Sequence, residues 1–211
     1  LIINLSWMLW IFKINIYKTT TIMNNTFNII SEIIRNRRSI SPQFYKAGKI
    51  PDELLMSILE SARWAPTHKK TQPWRFVVIR NDARNTLSHL MSEHYKNTTS
   101  SELYTDIKYQ KAGEKPLQSD TVIAICIHRS PDTLIPEWEE TAALGCSVQN
   151  MWLAASAAGL GAYWSTPNVI HHLDTFLELA PEEHCLGLFY MGWKSEVEIP
   201  DSTRMELDQI V

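Results

Sequence analysis

Several stretches of the chain place apolar residues at helical spacing. The first predicts a helix that runs into basic residues, and its apolar positions are Phe27, Ile30, Ile33 and Ile34. A second helix is predicted to begin at Pro51, which suits a first turn, and to stop before Pro66, because a residue before proline avoids helical geometry. A third helix is expected over residues 82–97, and a long core helix over residues 136–159.

Continuous apolar runs predict the strands. The run TVIAICIH is apolar almost throughout, which is typical of a central strand buried on both faces. Strands are also predicted for WRFVVIR and HCLGLFYMGW, and a short strand or turn for GAYWST. The stretch IHHLDTFLEL predicts another helix, whereas residues 98–120 are polar and irregular enough to predict a mobile cover. Because helices and strands alternate, the predicted class is α/β or α+β.

The composition fits one folded domain. The chain has 211 residues, of which 45% are hydrophobic and 20% are charged, so it can bury one sizeable core. Its net charge of −3 argues against nucleic acid or a membrane as partner. The three cysteines, Cys126, Cys146 and Cys185, are widely spaced and form no CxxC pair. We therefore expect buried thiols, no metal site and a cytoplasmic location.

The first 22 residues form a segment of their own. The stretch LIINLSWMLWIF is shorter than the roughly 20 apolar residues that a bilayer crossing needs, and it lacks the features of a signal peptide. Met23 begins a stretch in which an asparagine can cap the first helix. We expect residues 1–22 to be a non-native or disordered extension and residues 23–211 to form a single domain.

The common catalytic motifs are missing from the sequence. It contains no GxGxxG or GxxxxGK[ST] loop, no HExxH helix and no GxSxG elbow. Two carboxylates at the start of the long helix, Glu139 and Glu140, could approach a substrate, but we expect both to be solvated. His171 and His172 are likewise expected to face solvent. This pattern favours a bound organic cofactor or no catalysis at all.

A basic cluster follows the first predicted helix. Arg37, Arg38 and Ser39 can bind a phosphate, because guanidinium groups make paired charge-assisted hydrogen bonds and the serine adds a donor. Cations at the end of a helix also complement its dipole without any ligand. From these residues alone, both interpretations stay open.

The loop in ARWAPTHKKTQPWRFVVI is unusually rigid for a connection between a helix and a strand. Pro66 and Pro73 restrict its backbone at both ends, so the six polar residues 67–72 lose little conformational entropy when they bind a ligand. A stiff frame with several donors and acceptors suits a flat heterocycle with polar edges. The alternative is an ordinary exposed loop.

Three segments together resemble the FMN-dependent nitroreductase family. They are RRS after the first helix, ARWAPTHKKTQPWRFVVI after the second, and QNMWLAASAAGLGAYWSTP, which runs from the long helix into a turn. The stretch LGLFYMGW is also similar to a strand of that family. The resemblance covers about residues 25–204 and implies an α+β fold, with a mixed, mostly antiparallel sheet flanked by helices. It further implies an intertwined homodimer of FMN-binding domains.

The resemblance also implies the residues that bind the phosphate end of FMN. Arg37, Arg38 and Ser39 of one subunit would hold the phosphate and the ribityl chain. Arg204, in the polar tail, would add a second contact to the phosphate.

Other residues would surround the flavin ring. By the same resemblance, Trp64 and His68 from the partner subunit would line the isoalloxazine. Trp164, Ser165 and Thr166 would close the same pocket. The two equivalent sites would then lie at the subunit interface.

The function implied is that of an NAD(P)H-dependent flavin oxidoreductase. Flavin N5 would take hydride from NADH or NADPH, and a small acceptor such as a nitroaromatic or quinone would be reduced, so no catalytic side chain is required. Lys69 or Lys70 is a candidate for the positive group near flavin N1. Exchange of both substrates through one pocket predicts ping-pong kinetics. The alternatives are a dimeric FMN storage or sensor protein, and a flavin enzyme with another reaction, such as reductive dehalogenation.

Overall fold

The structure, a computed structural model, describes residues 25–131, 134–196 and 202–211. The helices are α1 (Asn25–Asn36), α2 (Asp52–Ala62), α3 (Asp82–Thr98), α4 (Asp106–Gln118), α5 (Glu137–Ala157) and α6 (Asp174–Leu177). The strands are β1 (Tyr45–Lys46), β2 (Trp74–Ile79), β3 (Thr121–His128), β4 (Leu160–Ser165) and β5 (Glu183–Lys194). Short 3₁₀ turns occur at Pro42–Phe44, His68–Lys70, Asn168–His172 and Leu207–Gln209. The expected extension, residues 1–22, lies outside the described residues.

The sheet is built around β5. This strand pairs antiparallel with β3 along one edge and with β4 along the other, while β1 pairs with its last residues and β2 pairs with β3. A single parallel bridge joins Ser39 to Ala162 of β4 in the part of the chain described. The predicted α+β class with a mostly antiparallel sheet is confirmed.

Two hydrophobic layers cover the sheet. On one face, Ile123 and Ile125 of β3 pack with Ile58 of α2 and Leu144 of α5. On the other face, Val122 and Ala124 of β3 pack in a cluster with Leu87 of α3 and Ile170 of the Asn168–His172 turn. Strand β3 is therefore buried on both faces, as its apolar sequence predicts.

Helix α1 carries an apolar stripe. Phe27, Ile30 and Ile34 recur at helical spacing and are each about half exposed, at 49%, 53% and 50%. The helix ends at Asn36, immediately before the basic cluster, as expected.

The segment expected to form an irregular mobile cover is instead largely helical. Helix α3 continues to Thr98, and α4 spans residues 106–118 with Thr105 accepting a hydrogen bond from the Lys108 amide at its start. Gly113 and Pro116 resemble helix breakers, which explains the error. Gly113 is buried against α3, where a Cβ would lie 2.6 Å from the Ser88 carbonyl oxygen, so this close approach requires glycine. Pro116 lies in the last turn of α4, where a proline does little to disrupt the helix.

Three further expectations are wrong. The IHHLDTFLEL stretch forms the 3₁₀ turn Asn168–His172 and the one-turn helix α6 rather than one regular helix. Cys146 is exposed on α5, whereas Cys126 and Cys185 are buried as expected. Glu140 is only 1% exposed, because its carboxylate accepts from Arg129 Nε at 2.8 Å and from the Ser130 amide at 3.1 Å.

Candidate functional site

The segment that carries the basic cluster is fixed to the edge of the sheet. The Ile40 amide donates to the Ala162 carbonyl at 2.9 Å, next to the bridge between Ser39 and Ala162. The Tyr45 hydroxyl donates to the carbonyls of Ile40 at 2.8 Å and Tyr190 at 3.1 Å. Backbone positions around Ser39 are therefore set by β4 and by a partly buried tyrosine.

Glycines make room for that tyrosine. A Cβ at Gly161 of β4 or at Gly192 of β5 would lie 2.5 Å from a carbon of the Tyr45 ring. The ring can therefore pack flat on the sheet only where two neighbouring strands lack side chains. Burial raises the pKa of the Tyr45 hydroxyl well above its ordinary range, so this group stays protonated and continues to donate.

Three guanidinium groups converge beside this segment. The Arg37 guanidinium lies 4.8 Å from the centre of the Trp152 ring, a cation–π contact with α5. Arg38 Nη1 donates to the Arg37 carbonyl at 3.1 Å. Burial, followed by the charges of Arg204 and Arg38, lowers the pKa of Arg37. Positive charges that repel one another in this way are stabilised by a bound anion.

The tail residue in this cluster has local support. Arg204 Nη1 donates to the Thr203 carbonyl at 2.8 Å and to the Ser202 hydroxyl. Its charge acts on Arg37 although 167 positions of sequence separate them. The structure thus brings together Arg37, Arg38 and Arg204, with Ser39 next in the chain.

The proline-flanked loop holds a strained backbone. Lys69, Lys70 and Gln72 have φ values of 48°, 58° and 48°, a region that residues other than glycine seldom adopt. Thr67 stabilises it, since its hydroxyl lies 3.0 Å from the Thr71 hydroxyl and accepts from the Gln72 amide at 3.2 Å. Strain held by internal hydrogen bonds is typical of a ligand-binding segment rather than a plain connection.

His68 of this loop contacts the first turn of α5. Its Nδ1 lies 2.5 Å from Glu139 Oε2, so the carboxylate accepts from the ring. The side chains are 49% and 25% exposed, which makes this a surface pair with one face open. Because Nδ1 is engaged, Nε2 is the ring atom that can meet a ligand.

Trp64 precedes the loop and projects into solvent. It is 74% exposed, and its Nε1 donates to Glu60 Oε1 at 3.0 Å. Arg63 shares the same carboxylate, through Nη1 to Glu60 Oε2 at 3.1 Å. A cavity of about 240 Å³ lies beside Trp64 and is also lined by Gln72. A large exposed indole of this kind fits a surface that another molecule covers.

The last residues of β4 face opposite sides of the sheet. Trp164 packs against the core layer shared by α2 and α5, and its Nε1 is buried with no partner among the described residues. Ser165 instead lines a large cavity on the α3 side. Thr166 is exposed. The three residues expected to close one pocket thus point in different directions within this chain.

The predicted site residues form two groups. Ser39 bridges to β4 directly after Arg37 and Arg38 in the chain, whereas the hydrogen bonds of Trp64 and His68 run to Glu60 and Glu139. Within the described residues no hydrogen bond or ion pair joins the two groups.

Sequence reasoning missed the residues that hold each group in place. The sequence predicts a solvated Glu139 and suggests no role for Trp152. No local signal could identify them, because Glu139 meets His68 across 71 positions and Trp152 meets Arg37 across more than a hundred. The only cue is that Glu139 and Trp152 share the long helix that follows both motifs.

The motifs described above lie in a region that matches a known protein family. A model of the nitroreductase family matches residues 34–193, which is more than half of the chain and includes the basic cluster, the loop and β4. The chain belongs to the nitroreductase family. The predicted family is therefore confirmed.

Individual relatives of this nitroreductase-family chain align over most of its length. The candidate NAD(P)H nitroreductase YdjA of Escherichia coli (strain K12) is 27% identical over 179 residues, covering 82% of this chain and 94% of YdjA. Iodotyrosine deiodinase 1 of Sus scrofa is 26% identical, over 85% of this chain and 66% of that protein. A candidate nitroreductase from Desulfovibrio desulfuricans, crystallised in complex with FMN, has a TM-score of 0.65 and 28% identity, covering 86% of this chain and 94% of its own.

Membrane insertion finds no support in the helices. Within the ranges that the structure describes, none of them has the length and apolar character that a bilayer crossing requires.

Proposed function

We propose that the chain is an FMN-dependent oxidoreductase that takes hydride from NADH or NADPH and reduces a nitroaromatic, a quinone or a similar electrophile. As a member of its family, with relatives that bind FMN or are named for NAD(P)H, it is an NAD(P)H-dependent flavin oxidoreductase that uses FMN. The observation that carries the proposal is the convergence of Arg37, Arg38 and Arg204 beside β4.

The arginine cluster fits the phosphate of FMN. A phosphate monoester carries close to two negative charges at neutral pH and offers three acceptor oxygens, which match the forked donors of several guanidinium groups. The contact of Arg37 with Trp152 limits the rotamers of its side chain, so less entropy is lost on binding. Ser39 would add a hydroxyl donor toward the ribityl chain.

The loop residues would complete the site from a second copy of the chain. Trp64 and His68, whose side chains hydrogen-bond to Glu60 and Glu139, would line the flavin ring of the other subunit in a homodimer. Trp164, Ser165 and Thr166 would close this pocket, with Ser165 and Thr166 presenting their backbone. The polypeptide that binds FMN in this way would be residues 23–211.

Exposed apolar side chains support self-association. Helix α1, considered alone, displays a half-exposed stripe that includes Phe27 and Ile30. Elsewhere, Trp138 at the start of α5 is 69% exposed and Met205 in the tail is 65% exposed. Aromatic residues and methionine are enriched at protein interfaces. A second copy of this chain is the partner that we propose for them.

The protein residues would bind, orient and polarise. FMN, when bound, would supply the redox chemistry, which is hydride transfer at its N5. His68 Nε2 would present a hydrogen bond to the polar edge of the ring, with Glu139 fixing the ring of His68. Lys69 or Lys70 would place positive charge near N1. The open face of the site would admit each substrate in turn, which gives ping-pong kinetics.

The test begins with the visible spectrum of the purified protein. A yellow dimer that bleaches during anaerobic titration with NADH or NADPH, and regains its colour with a nitroaromatic or quinone, would support the proposal. Parallel lines are expected when both substrates are varied, and intersecting lines would count against one shared pocket. A folded protein that takes up no FMN would overturn the proposal. A yellow protein that neither nicotinamide bleaches would be an FMN storage or sensor protein instead.

A second candidate reaction is reductive dehalogenation. The observation in its favour is the similarity to iodotyrosine deiodinase 1 over 85% of the chain. Its test is release of iodide from iodotyrosine by the chemically reduced holoprotein. Iodide release that outpaces reduction of a nitroaromatic would favour this reaction over the one proposed above.

A further inference from the structure

A large cavity lies on the side of the sheet away from α2 and α5. Its volume is about 690 Å³, and it is bounded by α3, α4 and the segment from Ser165 to the Asn168–His172 turn. Its apolar wall includes Met91 and Val169. This volume is in the range of cavities that hold small organic molecules.

The polar lining of this cavity is strongly biased toward positive charge. Lys111 and Lys115 of α4, His94 of α3 and His172 of the 3₁₀ turn all line it, and no carboxylate is found in the lining among the residues that the structure describes. The chain as a whole has a net charge of −3, so the cavity differs in sign from the protein around it. Ser165 and other hydroxyl donors complete the lining.

The rings of the two cavity histidines lie close together, and the charge of one affects the pKa of the other. The ring centres of His94 and His172 are 4.9 Å apart. Burial, followed by the charge of His172, lowers the pKa of His94. The other titratable groups that line the same cavity are Tyr95 of α3, Lys111 and Lys115 of α4, and His172 of the turn, and three of these four are basic. An anion in the cavity would offset this repulsion and favour protonated imidazoles.

We propose that this cavity is a binding site for a small organic anion that carries one carboxylate or phosphate group and an apolar body. The lysines and histidines bind the anionic group, and the wall that includes Met91 and Val169 packs against the apolar body. Lys115 is already positioned by its contact with the Tyr163 ring, whose centre lies 5.0 Å from Nζ.

The site goes beyond the proposed flavin function. Ser165 is the only predicted flavin residue in its lining, and the three arginines of the cluster take no part in it. Along β4, Trp164 points to the opposite face from Ser165. The cavity can therefore be tested whether or not the FMN proposal holds.

The experiment measures binding of phenyl phosphate and benzoate to the purified full chain, with one equivalent of FMN per chain added beforehand to fill any flavin site. Calorimetry gives the affinity, and NMR of the His94 and His172 ring protons reports where the anion binds. We expect binding of one or both anions, perturbed histidine resonances, and no binding of neutral benzamide. Tighter binding is expected as the pH falls from 7.5 to 6.

The variant Lys111→Gln removes one cation of the site, and Lys108→Gln removes a cation of the same helix that does not line the cavity. Lys111→Gln should weaken anion binding about tenfold, as expected for loss of a charge-assisted hydrogen bond, while Lys108→Gln should change it less than twofold. Equal effects of the two variants would overturn the proposal. So would unperturbed histidine resonances, binding of benzamide as tight as that of benzoate, or no anion binding at 10 mM, a limit of roughly 3 kcal/mol.

Discussion

His68 Nδ1 lies 2.5 Å from Glu139 Oε2, and this contact ties a strained surface loop to the first turn of the longest helix in the described chain. Three residues near His68 have positive φ values, so the loop needs outside support to keep its shape. The internal bonds of Thr67 supply part of that support. Glu139 supplies the link to the rigid core.

Replacing Glu139 with alanine should loosen the loop and weaken FMN binding. A hydrogen bond to a charged group contributes about 1.5–3 kcal/mol, and partial exposure places this one near the lower end, so FMN affinity should fall about tenfold. Glu139→Gln keeps an acceptor oxygen, so its FMN affinity should fall by less. The measurement is fluorescence titration of the apoprotein with FMN. Glu102→Ala, an exposed change in the loop between α3 and α4, is the control, and an equal affinity for the Glu139 and Glu102 variants would contradict the role assigned to the pair.

Replacing Arg37 tests the phosphate site directly. Arg37→Ala should reduce FMN affinity by a factor of 10 to 100, the effect expected when a charge-assisted hydrogen bond is removed. The FMN affinity of Arg37→Lys should lie between those of the wild type and Arg37→Ala, because lysine keeps the charge but loses the forked geometry and the flat contact with Trp152. Riboflavin provides a second readout. Since riboflavin has no phosphate, its weaker binding should respond little to either substitution. An equal loss of affinity for riboflavin and FMN would show that Arg37 does not contact the phosphate.

The buried ion pair at the start of α5 should matter for stability rather than for FMN. Glu140→Ala leaves Arg129 without its buried partner, which costs about 2–3 kcal/mol, less than the ~3–5 of a fully buried pair because Arg129 keeps Glu137 at 3.0 Å. Glu137→Ala should cost under roughly 1 kcal/mol, since Glu137 is 77% exposed. Urea unfolding at one fixed protein concentration measures both. Similar losses in the two variants would show that burial of Glu140 contributes little.

Much of the fold could be predicted because local patterns decide it. The spacing of Leu55, Ile58 and Ala62 places α2 against the sheet, and the unbroken apolar run of β3 places that strand in the middle. Pro66 sets where α2 must stop. Each of these features is visible within a dozen residues of sequence.

The parts that could not be predicted depend on contacts between distant residues. From the local sequence, Gly113 and Pro116 predict the end of a helix. In the fold, Gly113 instead lets α4 pack closely against α3. Glu140 has the sequence of a solvated carboxylate, and its contacts with Arg129 and the Ser130 amide make its burial tolerable. The candidate site shows the same division. Its motifs are local, whereas the partners Glu139 and Trp152 become visible only when the chain is folded.

His94 should make the stability of the protein depend on pH. Burial and His172 lower its pKa in the folded state below the ordinary value of 6.5, so the unfolded chain binds more protons between the two values. Stability is therefore highest above about pH 6.5 and falls as the pH drops toward the folded-state pKa. Solvent screens this partly exposed pair, so the change should be small. His94→Gln should flatten the dependence of the urea midpoint on pH between 7.5 and 5, relative to the exposed control His89→Gln. Phenyl phosphate bound in the cavity should flatten it too, because an anion beside His94 stabilises the protonated ring. Identical slopes for the wild type and His94→Gln would show that another group carries the pH dependence.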